Sequence, residues 1–295
     1  METRFLKTFL RVVETSSIAA AARKENLTPS AVVQRLRALE AEVGQVLVRR
    51  AGHSMRPTEA GLAVLEAAKQ VVELAESFES LAGGPEDVGS IRVGVIHSMI
   101  TGLLPEILSS MKENRPRIKV EVIPGQSSDL YQKVKEQALD GAIMVEPPFS
   151  MPKEFVWQEL RKDPLILLTR KDHRGNDPLL LMKTEPFIRY DRRHWGGRAG
   201  DLYLKKMRIN PDDRYELDSL EAIAVMVDRG FGISLVPDWL PPWPEGLSLR
   251  KMNLLDAPGR TLGVVFSRSS VNRRLMALFA HEACGASKLT KLHSS

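Results

Sequence analysis

Apolar positions at Phe5, Phe9, Val12 and Val13 recur at helical spacing and predict an opening helix. The stretch from Ser17 to Glu40, SIAAAARKENLTPSAVVQRLRALE, then predicts two short helices meeting at a tight polar turn. Ser17 caps the first, which runs from Ile18 to Lys24, and the small side chains of Ala19 to Ala22 let two helices cross closely. Glu25, Asn26 and Leu27 break that period. Thr28 as N-cap and Pro29 at the first helical position restart it, because proline there loses no hydrogen bond and arrives with its backbone angle set. From that start Val32, Leu36 and Leu39 share one face, while Ser30, Val33, Gln34 and Arg37 share the other. A helix buried on the first face, with short side chains ahead of Arg37 on the second, is shaped to enter a DNA major groove end-on. An ordinary helical hairpin, with alanines chosen for propensity and Gln34 merely solvated, satisfies the same periodicity.

After Glu40 the pattern shortens. Gly44 stops the helix, Val46 to Val48 predict a short strand, Ala51-Gly52-His53 a turn and Ser54 to Arg56 a returning strand, which together make a wing. Arg49, Arg50, His53 and Arg56 cluster around its tip, where flanking-phosphate or minor-groove contact is the natural use of a basic loop. Solvated surface charge is the plain alternative, for Arg50 above all. Thr58 can cap a helix from Glu59 to about Leu81, along which Val64, Ala67, Val71, Leu74, Phe78 and Leu81 recur as a heptad seam. An apolar seam on a helix of that length calls for a twin from a second subunit, which would present two recognition helices to an operator of approximate two-fold symmetry.

Residues 82–87, AGGPED, form a linker, and beyond it short strands alternate with helices. IRVGVI, KVEVI and GAIMV are strands, with helices from about Gly102 and from Asp129 to Ala138; LILLT, PFIRY and GISLVP repeat the idea, with helices at Gly197 to Lys206 and Ser219 to Asp228. Two parallel-sheet lobes are expected, with TLGVVF and VNRRLMALFAHEA as candidates to return to the first. Clefts in such sheets lie beyond strand C-termini, which selects His97, Ser98, Met99, Ile100 and Thr101, then Gly125, Gln126, Ser127 and Ser128, then Arg189 and Tyr190. Hydroxyls at Ser98, Thr101 and Ser128, with Arg189 and helix N-termini, suit a small anion such as a carboxylate. Each residue has an ordinary alternative: Ser127 and Ser128 as caps, Arg189 paired with Asp191 or Glu185, His97 as a satisfied interior histidine. The stretch DWLPPWPEG from Asp238 to Gly246 is expected to close the surface of the second lobe or to contact a neighbouring subunit.

Charge sharpens this picture. Residues 1–58 hold Lys/Arg at ten positions against five acids, net +5, whereas the remaining chain has 32 of each, so the whole formal excess sits in the first fifth. A polyanion is drawn to that end, with an affinity that falls as salt rises. The 295 residues and 43% hydrophobic content suffice for several folded domains. A single cysteine, Cys284, excludes an intrachain disulfide framework and points to a reducing cytoplasm. The charged opening METRFLKTFLRVVE lacks the apolar core of a signal peptide, and no later run approaches a membrane span. No catalytic motif, metal-ligand spacing or cofactor fingerprint occurs, and His281, Glu282 and Cys284 make no metal site, so the expectation is no enzyme and no cofactor.

The strings FLKTFLRVVETSSIAAAAR, LTPSAVVQRLRALEAEVGQVLVRR and MRPTEAG, followed by IRVGVI, LDGAIM, LILLTRKDH and VDRGFGISLVP, resemble the LysR-type transcriptional regulators over nearly the full length. The resemblance implies a winged helix-turn-helix over 1–58, a dimerising linker helix and hinge over 59–87, and a two-lobed α/β effector domain over 88–295, similar to periplasmic binding proteins. Lobe 1 is expected at 88–161 and 267–295, and lobe 2 at 162–266. It further implies a homodimer assembling to a homotetramer, double-stranded DNA near promoters, a small-molecule co-inducer, and recruitment of RNA polymerase. By family position Ser30, Val33, Gln34 and Arg37 approach bases or phosphates, Arg49, His53 and Arg56 lie at the wing, and Ser98 meets the effector. Val33 stands where the family usually has serine and Gln34 where it usually has arginine, which predicts half-sites favouring A·T pairs. Pro57 replaces a common wing leucine and predicts a wing that ends early; His173 lacks the usual following proline. A solute-binding or sensor module without DNA activity is the competing function, and an enzyme using the cleft the third.

Overall fold

The computed structural model describes residues 2–52, 54–82 and 87–293, with the side chains of 73, 76–82 and 291–293 outside that description. The chain divides into two compact units, Met1–Gly89 and Ser90–Ser295.

The N-terminal unit comprises α1 (Thr3–Thr15), α2 (Ile18–Glu25), α3 (Pro29–Val43), β1 (Val48–Ala51), β2 (Ser54–Pro57) and α4 (Glu59–Ala82). Local chemistry sets each boundary. Ser17 Oγ accepts from Ala20 N at 3.3 Å, Thr28 Oγ1 from Ala31 N at 3.2 Å, and Thr58 Oγ1 from Gly61 N at 3.0 Å, each satisfying an orphan N–H of a first turn. Gly44, at φ 74°, ends α3 in the left-handed region. The core joins Phe9, Val12, Ala21, Ala22, Val32, Leu36 and Leu39 to Ala68 and Val72 of α4.

The details differ from the periodicity in instructive ways. In α1 the fully buried positions include Leu6 and Thr8, while Phe5 and Val13 only flank the core. Thr8 is tolerated there because its single hydroxyl proton has two acceptors in reach, Glu25 Oε2 at 2.7 Å and Arg4 O at 3.0 Å. The wing strand starts at Val48, not Val46, since Glu40 Oε1 accepts from Leu47 N at 2.8 Å and Val48 N at 3.2 Å and draws the lead-in against α3. Nor does Pro57 end the wing early. It pairs with Val48 at the end of the ladder, where a missing N–H costs nothing, and Thr58 N takes over by donating to Leu47 O at 2.9 Å. Gly61 is required beside that junction, because a Cβ there would collide with Leu47 O. Along α4, Ala68 and Val72 turn inward with Val64 and Leu65 beside them, so Val64 partly leaves the expected seam. Leu62, Val71 and Leu74 remain exposed, at 60%, 37% and 53%. Phe78 and Leu81 lie outside the described side chains.

The C-terminal unit begins with β3 (Gly89–Ile96), α5 (His97–Gly102), α6 (Leu104–Asn114), β4 (Ile118–Gly125), α7 (Ser127–Lys135), β5 (Gly141–Val145) and β6 (Phe155–Asp163). It continues through β7 (Leu165–Arg170), α8 (Pro178–Thr184), β8 (Pro186–Tyr190), α9 (Trp195–Lys206), β9 (Asp212–Leu217), α10 (Leu220–Asp228), β10 (Ser234–Pro237) and β11 (Leu249–Asn253). It closes with β12 (Arg260–Ser267) and α11 (Arg273–His293). Lobe 1 is built on the sheet β4-β3-β5-β12-β6; lobe 2 carries β10-β7-β11 and the pair β8-β9.

Neither lobe is wholly parallel, contrary to expectation. β3 and β5 are parallel, as are β8 and β9, but β12 runs antiparallel to both β5 and β6, and β7 antiparallel to β10 and β11. Because β12 belongs to the first sheet, lobe 2 ends at about residue 259, not 266, and β6 keeps lobe 1 as far as Asp163. The helix after β3 starts at His97 rather than near Gly102, and α7 starts at Ser127 rather than Asp129. DWLPPWPEG does more than cover lobe 2: Trp239 is buried in its core, whereas the next residue, Leu240, packs into the core of lobe 1 and ties the lobes together. Among the described residues no helix is long and apolar enough to cross a membrane.

Candidate functional site

On α3 the buried face is the one the spacing predicts, with Val32 and Leu39 inaccessible and Leu36 nearly so. Ser30, Gln34 and Arg37 stand exposed on the opposite face and Val33 is half-buried beside them. At the wing, Arg49 and Arg56 are exposed and lie directly across the β1-β2 ladder from one another. Like charges at opposed ladder positions repel, so this pairing is unfavourable until an anion sits between them. Arg50 turns its Nε back to Gly52 O at 3.1 Å, and His53 lies outside the described residues. Among the described residues no carboxylate pairs with Arg37, Arg49 or Arg56, whereas Arg11 and Lys24 share Glu14, and Arg35 reaches Glu25 at 3.5 Å. Arg11, Lys24 and Arg35 are thus neutralised, whereas Arg37, Arg49 and Arg56, like Arg23 on α2, have no carboxylate against them among the described residues.

In the second unit a cleft of about 820 Å³, open solvent at its mouth included, lies between the lobes. It gathers His97, Ser98, Gly125, Gln126, Ser127, Ser128 and Tyr190 as the topology suggested, adding Val145, His194, Trp195, Asp218, Glu221 and Arg260. Met99 does not reach it, being buried in the core of lobe 1; Ile100 packs on that core, and Thr101 is not among the lining residues. The early start of α5 causes this, since one helical turn rotates successive side chains away from the strand end.

Arg189 is also absent from the cleft. Alternation along β8 puts it on the face of Phe187, whose ring centroid lies 5.4 Å from its guanidinium carbon, while Ile188 and Tyr190 share the other face. Buried at 6% exposure, Arg189 pairs with Asp213 on β9 at 2.8 Å and with Asp201 on α9 at 3.8 Å, neither of them the partner expected.

The cation at the cleft is Arg260. Its Nε and Nη2 donate to Asp163 Oδ2 at 3.0 and 2.9 Å, and Nη2 also donates to Ser98 Oγ at 2.9 Å. Arg161 Nε reaches the other oxygen of Asp163 at 2.6 Å. Arg260 is the first residue of an antiparallel strand, so it arrives at the edge where the parallel strands end. A search confined to strand C-termini passes over it. Ser127 Oγ accepts from Val145 N at 3.1 Å and locks α7 to β5. Tyr190 is half-buried at the cleft and its phenol is held above its ordinary value, first by desolvation, with Arg260 pulling it down and Glu221 and Asp218 pushing it up. Beside it, the Arg193 guanidinium holds the Asp191 carboxyl down at about 2. Cys284, half-buried on α11, is not among the cleft residues, and burial pushes its thiol up.

A family model described as "Bacterial regulatory helix-turn-helix protein, lysR family" matches residues 3–62, and one described as "LysR substrate binding domain" matches residues 85–283. The chain belongs to the LysR family of transcription regulators. It is accordingly a DNA-binding regulator with an effector cleft, and the family is not one of enzymes. Similar proteins include the probable HTH-type transcriptional regulator LrrA of Synechococcus elongatus, 28% identical over 79% of each chain. The HTH-type transcriptional activator IlvY of Salmonella typhimurium is 26% identical over 95% of this LysR-family chain and 98% of its own. Among solved structures, an OxyR mutant of Corynebacterium glutamicum superposes with a TM-score of 0.73 at 25% identity, covering 99% of this chain and 94% of that one. Full-length CbnR in complex with its target DNA, at 20% identity, shares the fold with a TM-score of 0.64 over 97% of this chain and 100% of that one.

Proposed function

We propose that this LysR-family chain regulates transcription by laying α3 in the major groove, with Ser30, Val33, Gln34 and Arg37 toward the bases and Arg49, Arg50, His53 and Arg56 on flanking backbone. The observation that carries this reading is that Arg37 on α3 and Arg49 and Arg56 on the wing are exposed without a carboxylate partner among the described residues, in a unit where Arg4, Arg11, Lys24, Arg35 and Lys69 are paired. Val33 offers an apolar contact to a thymine methyl and Gln34 a bidentate partner for adenine, so half-sites favour A·T pairs at those steps. Exposed Leu62, Val71 and Leu74 on α4 suit a helix from a second copy, which gives a dimer, a pseudo-palindromic operator and, by family likeness, a homotetramer. Contact with RNA polymerase belongs to the same expectation. In the cleft, a small polar metabolite places an anionic group against Arg260 and Ser98, the part first assigned to Arg189. A ligand that binds one arrangement of the lobes more tightly shifts the chain toward that arrangement and so changes what the DNA-binding units do.

A solute-binding module without DNA activity accounts for the cleft but gives the basic winged unit no purpose. Selection of bound duplexes from a random pool separates the two. The regulator reading predicts paired half-sites with A·T at the contacted steps; recovery of no preferred duplex, or of G·C-only half-sites, contradicts it.

A further inference from the structure

We infer that the cleft is built for a zwitterion, a small molecule carrying both a carboxylate and an ammonium group, of which the α-amino acids are the simplest class. The inference rests on the ligand-responsive reading above and adds a second charge to its ligand.

The two walls of the cleft differ in sign. Lobe 1 contributes Arg260, 4% exposed, within a trio of two guanidinium groups on the single carboxylate of Asp163, which leaves that wall with net positive charge. Nη1 of Arg260 has no protein partner among the described residues, and Ser98 Oγ beside it accepts from Nη2 and keeps its own proton to donate. A carboxylate is the group that completes such a fork.

Lobe 2 contributes Asp218 and Glu221; neither forms an ion pair among the described residues, and the Arg193 guanidinium, which Asp218 feels electrostatically, is already held by Asp191. Asp218 receives a long bond from Gln126 Nε2, at 3.4 Å across the cleft, and Glu221 accepts from Ser219 Oγ at 3.1 Å. The acids nearby are treated differently: Asp191 is held by Arg193, Asp201 by Lys205, Asp213 by Arg189 and Glu216 by Arg192. Two carboxylates left without an ion pair on one wall of a cleft repel a purely anionic ligand and attract an ammonium group. Tyr190 lies between the walls, close enough to feel Arg260 from one side and Glu221 and Asp218 from the other.

The ordinary role for these acids is to complement the N-terminus of α10, where Ser219 already accepts from Ala222 N at 3.1 Å and Glu221 stands in the first turn. That role predicts a change in stability and no change in ligand choice. The two accounts are separated by titrating full-length protein calorimetrically with the common α-amino acids, the 2-oxo acids of the same side chains, and the amines that lack the carboxylate. The zwitterion account expects an amino acid to bind at least about tenfold tighter than its oxo acid or its amine. In the double variant Asp218→Asn/Glu221→Gln that preference for the amino acid over the oxo acid disappears while the oxo acid binds no more weakly. Each single variant gives a partial loss, which keeps the test open should the double variant fail to fold. Oxo acids binding the wild type as tightly as amino acids, or a preference that survives the double variant, overturns the inference and leaves an anion-responsive regulator standing. Binding by none of the three series also overturns it. Loss of the DNA-binding reading would instead be seen in the duplex selection, which these acids do not touch.

Discussion

The α3 and wing surface and the effector cleft leave opposite charges without an ion pair, and the cation each depends on sits in different surroundings. On the α3 and wing surface the bare groups are exposed arginines; in the cleft they are the exposed Asp218 and half-buried Glu221, across from an Arg260 that is almost wholly buried. An exposed arginine is well solvated and costs little to hold, so it is free to trade water and counterions for phosphate, and the attraction weakens with salt. A buried arginine is held only by partners that replace its water, so removing it disturbs the fold as well as the ligand. One region therefore tolerates substitution and loses function alone; the other loses both.

The largest expected effect follows from that contrast. Arg260→Ala strips Asp163 of its bidentate partner in a site where both side chains are almost inaccessible, and should cost about 3 kcal/mol in urea unfolding. A loss below 1 kcal/mol would mean that Arg161 suffices for Asp163. Next is Arg189→Ala, expected to cost about 2 kcal/mol because Asp213 is partly solvated, with no change in carboxylate affinity, since Arg189 lies on the far face of β8. Weakened ligand binding there, at ligand concentrations that keep the protein folded, would return Arg189 to the cleft. In the N-terminal unit Arg37→Ala should leave the melting temperature within a degree or two and reduce specific DNA affinity by about 1–3 kcal/mol. Arg35→Ala, at a paired position, should act the other way, on stability more than on DNA.

Acid gives the smallest effect. Asp191 has its carboxyl lowered from 3.8 to about 2 by Arg193, so its contribution to stability is complete above the unfolded value and is lost as pH falls through the folded one. Wild type and Asp191→Asn should differ in melting temperature at pH 5 and converge toward pH 2. A gap that stays constant over that range would show that the ion pair is not the cause.

The N-terminal unit was legible because its information is local. Caps at Ser17, Thr28 and Thr58, a stop at Gly44 and a face set by Val32, Leu36 and Leu39 are all fixed within a few residues of the groups they position. What periodicity missed there comes from contacts across the chain, such as Glu40 reaching the backbone of Leu47 and Val48 and displacing the start of the wing strand. The cleft was half legible. Its lobe 1 rim follows from strand ends, but Arg260 reaches it from residues away because β12 runs against its neighbours, and strand direction is not written in a hydrophobic run. Arg189 and Tyr190 were separated by strand parity: a one-residue step on β8 decides which faces the cleft, and the carboxylates that hold Arg189 on the far face, Asp213 and Asp201, are brought there by β9 and α9.

The proposed hold on duplex DNA comes from the bare arginines of α3 and the wing. It is tested most directly by the affinity of the full-length protein for its selected duplex over a range of salt concentrations, measured for wild type and for Arg37→Glu/Arg56→Glu. A steep fall of log affinity with log salt is predicted for the wild type, with a slope shallower by about 2 or more and a much weaker affinity in the double variant. Affinity indifferent to salt, or a double variant that binds as the wild type does, would contradict it.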